Sequence, residues 1–221
     1  MAAVLFDMDG TLVDTEPYWI AAEYKLVGEY GGTWSDEHAH ALVGNALLTS
    51  AEYLRDVGGV RLDPPTIVER LLDDVIAASL ERMPWRPGAL ELLARLREAG
   101  IPCALVTMSY QRLAGTLVDH LPEGAFATVV TGDEVTDGKP HPEAYLTAAA
   151  RLGVAPDQCI AIEDSPTGIA SAEAAGCVVL AVPHHVPIAA GPGRTIVPGL
   201  ETLTVDDLRR LLRERRRPAP A

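Results

Sequence analysis

Five short runs of apolar residues, each stopped by a polar residue or a proline, constrain this chain more than any other feature. Val4-Leu5-Phe6 runs into Asp7, Ala104-Leu105-Val106 into Thr107, and Val129-Val130 into Thr131. Ile160-Ala161-Ile162 runs into Glu163-Asp164, and Val178-Val179-Leu180-Ala181-Val182 into Pro183. None alternates apolar with polar residues, so each reads as a strand buried on both faces. Helix-period segments lie between most of them, over 88–99, 110–121, 141–152 and 165–175. Gly100, Gly153 and Gly176 stand just past three of these, where a helix C-cap places glycine. The β-α-β-α-β order predicts an α/β fold, a doubly wound parallel sheet under helices on both faces.

One stretch breaks the alternation. From about Glu16 to Arg86 the pattern is helical only. Pro17 suits a first turn, Ser35 is a good N-cap followed by Asp36 and Glu37, and Asp63-Pro64 is another cap-then-proline start. So long an insertion is too much for a crossover. It predicts a separate all-helical domain over 16–86, inserted into a core made of 1–15 and 87–221.

Composition narrows the partners. The 221 residues carry a formal net charge of −13, with 48% hydrophobic and 22% charged residues. An acidic body lacks the clustered cations that release counterions from nucleic acid, so no nucleic-acid partner is expected. Arg209–Arg217 is a local basic run, read as the solvated end of a C-terminal helix. Cys103, Cys159 and Cys177 form no C-x-x-C pair and read as buried small hydrophobes. No apolar run reaches 18 residues and no charged n-region precedes a signal-like stretch, so no membrane contact and a cytoplasmic location are expected. A monomer is favoured, with the oligomeric state left open.

Ligands of open parallel sheets bind beyond the carboxyl ends of the strands. Those ends carry Asp7, Thr107, Thr131 and Glu163-Asp164. Asp7 and Asp9 stand two apart before Gly10, which permits a sharp turn. If the Glu163-Asp164 strand adjoins the Asp7 strand, three or four carboxyl groups crowd one place. That crowding raises carboxyl pKa values unless a hard dication such as Mg²⁺ relieves it. Thr107, with Met108 and Ser109 behind it, offers a small anion cradle. Lys139, between Gly138 and Pro140, is a pre-positioned cation, and Ser165-Pro166 opens a helix near the acids. Together these parts fit phosphoryl transfer: a metal and a lysine neutralise the phosphoryl group, a hydroxyl orients it, one aspartate attacks and another handles protons. His184 and His185 read as loop residues, since Mg²⁺ prefers oxygen, and His141 as structural.

These motifs resemble those of the haloacid dehalogenase superfamily. Asp7-Met8-Asp9-Gly10-Thr11-Leu12-Val13-Asp14-Thr15-Glu16 is similar to its first motif and Val106-Thr107-Met108-Ser109 to its second. Gly138-Lys139-Pro140-His141-Pro142 is similar to the third and Ile162-Glu163-Asp164-Ser165 to the fourth. All four stand in order, and 16–86 takes the place of the helical cap. The first motif is similar to that of phosphoglycolate phosphatases, sugar-phosphate phosphatases and β-phosphoglucomutase.

The resemblance implies roles. Asp7 would be the nucleophile and Asp9 the acid and base. Thr107, the Met108 N–H, Ser109 and Lys139 would hold the phosphoryl group. Asp164, helped by Glu163, would hold Mg²⁺ with the Asp7 carboxylate and the Asp9 carbonyl. Dehalogenase relatives lack an aspartate at position 9, so its presence favours phosphoryl transfer. Against a mutase, Trp19 and Leu47 stand where β-phosphoglucomutases carry a cap histidine and an arginine. The implied activity is hydrolysis of a small phosphorylated metabolite, a sugar or polyol phosphate. The alternatives are a phosphosugar mutase and a non-catalytic binding protein on the same scaffold. Val43-Gly44-Asn45-Ala46 is either a loop that dips into the site or an ordinary turn.

Overall fold

The computed structural model describes residues 1–43 and 45–215. Six strands form one sheet: β1 (Ala3–Phe6), β2 (Cys103–Val106), β3 (Thr128–Val130), β4 (Cys159–Glu163), β5 (Val178–Ala181) and β6 (Arg194–Ile196). All pairings are parallel, in the spatial order β3-β2-β1-β4-β5-β6. Five of these strands are the apolar runs. The sixth is a correction to the sequence reading. Arg194-Thr195-Ile196 is short, polar and at the sheet edge, so no apolar run marks it.

The insertion after β1 holds α1 (Glu16–Glu29), α2 (Asp36–Leu42), α3 (Leu47–Asp56) and α4 (Pro64–Glu81). The starts of α2 and α4 follow the predicted chemistry. The Ser35 hydroxyl accepts from the His38 N–H at 3.4 Å, and the Asp63 carboxylate from the Thr66 N–H at 3.1 Å. α4 packs along α1 and α3 and also against α6 (Gln111–Asp119). The chain leaves and returns through two short antiparallel segments. The Asp14 N–H donates to the Pro84 carbonyl at 2.9 Å, and the Arg86 N–H to the Leu12 carbonyl at 2.8 Å. Gly44 of the candidate loop lies outside the described residues.

The two-residue period of each strand sorts its side chains between two cores. Val4, Phe6, Leu105, Ile160 and Ile162 face α5 (Ala89–Glu98), α6 and α9 (Val205–Arg215), meeting Leu92, Leu113 and Leu208. Leu5, Ala104, Val106 and Ala161 face α7 (Glu143–Leu152) and α8 (Pro166–Ala174), meeting Tyr145, Ala148 and Ile169. Covering both faces explains why the five apolar runs contain no polar alternation. β1 sits between β2 and β4, so the reversal of strand order opens its crevice at the carboxyl end of β1.

The basic C-terminal run is more than a solvated helix end. Arg209 and Arg210 pair with Asp206 and Asp207 one turn back. Arg215 donates to the carbonyls of Pro192 and Arg194 and, at 3.1 Å, to the Thr195 hydroxyl, tying α9 to β6. Arg216 and Arg217 lie outside the described residues. Among the described residues, no helix is long and apolar enough to cross a membrane.

Candidate active site

Register brings the acids together. Phe6 pairs with Ile162 across β1 and β4, and the Asp7 N–H donates to the Ile162 carbonyl at 3.0 Å, so Asp7 and Glu163 leave adjacent strands side by side. Gly10 then turns with φ +84°; a Cβ there would lie 2.0 Å from Asp164 Oδ2, so only glycine lets Asp164 approach the first loop. Gly168 does the same for Glu163: a Cβ would stand 1.9 Å from Oε1, so the start of α8 closes over that carboxylate.

Lys139 is the centre of charge. Its ammonium donates to Asp7 Oδ1 at 2.7 Å, to Glu163 Oε1 at 2.7 Å and to the Val106 carbonyl at 2.9 Å, with its side chain only 5% exposed. Burial alone would lower its pKa, but Asp7 and Glu163 hold it above the ordinary lysine range. Glu163 is fully buried and well supplied: Oε1 also accepts from the Tyr145 hydroxyl at 2.6 Å, and Oε2 from Ser165 at 3.3 Å. Asp7 is not. Its Oδ2 is buried with no hydrogen-bond partner.

Burial pushes Asp7 up to about 7 despite the pull of Lys139, and pushes Asp164 up to about 9 with Asp7 and Glu163 adding repulsion. Such crowding is the condition that a hard dication relieves. Asp7, Glu163 and Asp164 each offer an oxygen within 4.8 Å of the others. An orphaned buried carboxylate oxygen in an all-oxygen group fits Mg²⁺. Because three donors already engage Glu163, Asp7 and Asp164 are the freer ligands.

Asp9 faces a ring of hydroxyls. Its carboxylate accepts from Thr15 at 2.5 Å, Ser109 at 2.7 Å and Thr107 at 3.3 Å. Burial raises its pKa against these three bonds. The arrangement differs from the sequence expectation, which gave Thr107 and Ser109 to a phosphoryl group; here both hydroxyls point at Asp9. Thr107 also accepts from the Ser109 N–H at 2.9 Å, tightening the turn after β2. Met108 braces the lysine loop, its Sδ lying 3.2 Å from the Lys139 N–H. Thr131 does not serve the cluster: its N–H and hydroxyl both donate to Glu134 Oε2, at 3.1 and 3.2 Å. His141 stays outside too, its carbonyl accepting from Ser171 at 2.6 Å.

The model of haloacid dehalogenase-like hydrolases matches residues 1–176. The chain belongs to this family. It is 36% identical over 185 residues to hexitol phosphatase A of Escherichia coli strain K12, covering 80% of this chain and 81% of the relative. Among solved structures it resembles CbbY from Rhodobacter sphaeroides in complex with phosphate, with a TM-score of 0.83, 27% identity and 95% and 99% of the two chains covered. It also resembles a putative β-phosphoglucomutase from Thermotoga maritima, with a TM-score of 0.76, 28% identity and the same shares of each chain. The chain is thus an HAD-type enzyme of the phosphomonoester hydrolase class.

For this HAD-type hydrolase the sequence reading missed two supporting residues. Thr15 lies six positions after Asp9 in the first motif, where the turn at Gly10 folds it back; that turn was the available signal. Tyr145 sits inside α7 among apolar residues, and nothing in its spacing announces a hydroxyl aimed at Glu163. His184 and His185 lie in the loop after β5 as expected, but both rings face Asp14.

Proposed function

We infer that the chain is a Mg²⁺-dependent phosphatase acting on small sugar or polyol phosphates through an aspartyl-phosphate on Asp7. One observation carries this reading. Asp7 has one oxygen fixed by Lys139 and the other buried and unpartnered, in a carboxylate grouped with those of Glu163 and Asp164. An oxygen so placed is available to a metal and a phosphorus atom, while Lys139 holds the carboxylate in orientation.

The residues divide the work as follows. An Asp7 oxygen attacks phosphorus and the ester P–O bond breaks. Asp9, whose proton affinity burial raises, serves as the acid that protonates the departing alkoxide. Asp9 then takes a proton from a water whose oxygen attacks the phosphoryl group, and the Asp7 carboxylate leaves. Thr107 and Ser109 release Asp9 and turn their hydroxyls to the phosphoryl oxygens, beside the Met108 N–H. Lys139 balances the growing charge, and Tyr145 and Ser165 hold Glu163 so that Lys139 keeps its place. Asp7, Asp164 and the Asp9 carbonyl would hold Mg²⁺, which supplies Lewis-acid stabilisation of phosphoryl charge.

Helices α1–α4 act as a cap over a core of 1–15 and 87–221. Its partners are small phosphorylated metabolites, the class named for hexitol phosphatase A. Three buried free thiols suit a reducing cytoplasm. A mutase is the second reading, favoured by the likeness to the T. maritima structure. Trp19 and Leu47, both packed against the core, supply no group to grip a second phosphate.

The test is phosphate release with Mg²⁺ from hexitol, hexose and glycerol phosphates and phosphoglycolate. Release that needs Mg²⁺ and is lost in Asp7→Asn supports the reading. Conversion of β-glucose 1-phosphate to glucose 6-phosphate without release would replace it with the mutase.

A further inference from the structure

His184 and His185 belong to no part of the phosphoryl-transfer machinery, yet they are arranged around one carboxylate. His184 Nε2 lies 3.1 Å from Asp14 Oδ2, and His185 Nε2 lies 2.8 Å from Asp14 Oδ1. The two rings are 4.0 Å apart between centroids. One nitrogen of each ring and a carboxylate oxygen all lie within 4.8 Å of one another. The three side chains are 26%, 35% and 33% exposed for His184, His185 and Asp14, so solvent reaches the group without dispersing it.

Two imidazoles and a carboxylate are the donor set of borderline ions, not of Mg²⁺. Bonds of about 2.0–2.2 Å set tetrahedral ligand atoms about 3.3 Å apart. Each ring nitrogen meets a different oxygen of Asp14, and one donor atom from each residue lies within 4.8 Å of the others, so side-chain rotation that draws these three donors together would reach that spacing. A three-residue set also leaves a position for water. There is room for it: Asp14 and His184 line a cavity of about 320 Å³ together with Tyr18, Arg82 and Arg86. Arg86 opposes a cation there, while the half-buried Glu16 carboxyl favours one. A second exposed group, Asp137, His141 and Glu143, lacks this availability, because the Glu143 oxygens accept from the N–H groups of Thr136 and Asp137, both at 2.9 Å.

We propose that Asp14, His184 and His185 form a second metal site, for a borderline dication of the Zn²⁺ class. Asp14 stands in the paired segments that lead into and out of α1–α4, and the histidines stand in the loop after β5. A bound ion therefore ties the connection of the helical insertion to the sheet. It restrains that connection and slows turnover without touching Asp7.

The test is calorimetric titration of Zn²⁺ into the full chain with Mg²⁺ in large excess, so that the all-oxygen group is already filled. The wild type binds one Zn²⁺ that excess Mg²⁺ does not displace. His184→Ala and His185→Ala each weaken it about tenfold or more. The double variant loses it, keeps Zn²⁺-free phosphate release and escapes Zn²⁺ inhibition. Co²⁺ gives the wild type a visible band of nitrogen-ligated metal, absent from the double variant. Equal Zn²⁺ affinity in wild type and double variant, displacement by Mg²⁺, or no such Co²⁺ band in the wild type would overturn the site.

Discussion

Carboxyl groups are buried in two very different ways in this molecule. At the carboxyl ends of β1 and β4, Asp7 and Glu163 share a buried lysine, and one oxygen of Asp7 is left without a partner. In the helical insertion, Glu23 of α1 is also buried, but its observed donor is the Trp34 indole, 3.2 Å from Oε2. Burial pushes Glu23 up to about 8, so this carboxyl holds its proton near neutral pH and behaves as a polar packing group. Both places bear the cost of desolvation. Only the strand ends add a fixed cation, a ring of hydroxyls and unmet valence, all converging on one point. A raised carboxyl pKa therefore does not mark a site; convergent groups with an unsatisfied atom do.

The contrast is sharpest in activity. Asp7→Asn removes the proposed nucleophile and should lower kcat by about 10⁴ or more with the fold retained, whereas Glu23→Gln should leave kcat within about twofold. Phosphate-release assays on both variants check this. Loss of activity in Glu23→Gln would erase the distinction. Lys139→Ala should cost about 10²–10³ in kcat. It also leaves Asp7 and Glu163 buried without their cation, at a stability cost of about 3–5 kcal/mol, readable by urea unfolding.

Stability against pH separates the same two regions. Folded Glu23 keeps a proton that the unfolded chain has lost, so its contribution declines as pH rises from about 4.5 to about 8, by up to about 1.4 kcal/mol per pH unit. Glu23→Gln should flatten that part of the profile in thermal or urea unfolding. Asp164 gives the same sign up to about 9, but there Mg²⁺ should restore stability at pH 8–9, while chelation should remove the gain. A Mg²⁺ effect on the Glu23 part of the profile would break the comparison. The smallest effect belongs to Trp34→Phe, which takes the indole donor from Glu23 and should destabilise by about 1–3 kcal/mol with kcat unchanged.

Much of this was legible in the residues. The five apolar runs marked their strands because a strand covered on both faces has no polar alternation, and the residues that stop them named Asp7, Thr107, Glu163 and Asp164. Lys139 was legible from its Gly/Pro loop, although that loop is 132 residues from Asp7. β6 was not, because an edge strand of three residues needs no apolar run. The partners of Asp9 were not either. Spacing suggested hydroxyls near a phosphate, but their hydrogen bonding to Asp9 depends on how Gly10 folds the first motif back toward β2. Asp14 meeting His184 and His185 joins distant positions, 171 residues apart for His185, and has no local signature.

The central claim is that Asp7 carries the phosphoryl group, and it can be read directly. An aryl phosphate has a leaving group that needs no proton, so Asp9→Asn should still let Asp7 attack while blocking the activation of water. Rapid quench of Asp9→Asn with Mg²⁺ and an aryl phosphate, followed by mass spectrometry of the peptide containing Asp7, should find that peptide heavier by one phosphoryl group, with one equivalent of phenol released in a burst. An unmodified peptide in spite of phenol release, or a phosphoryl group on another residue, would contradict the account.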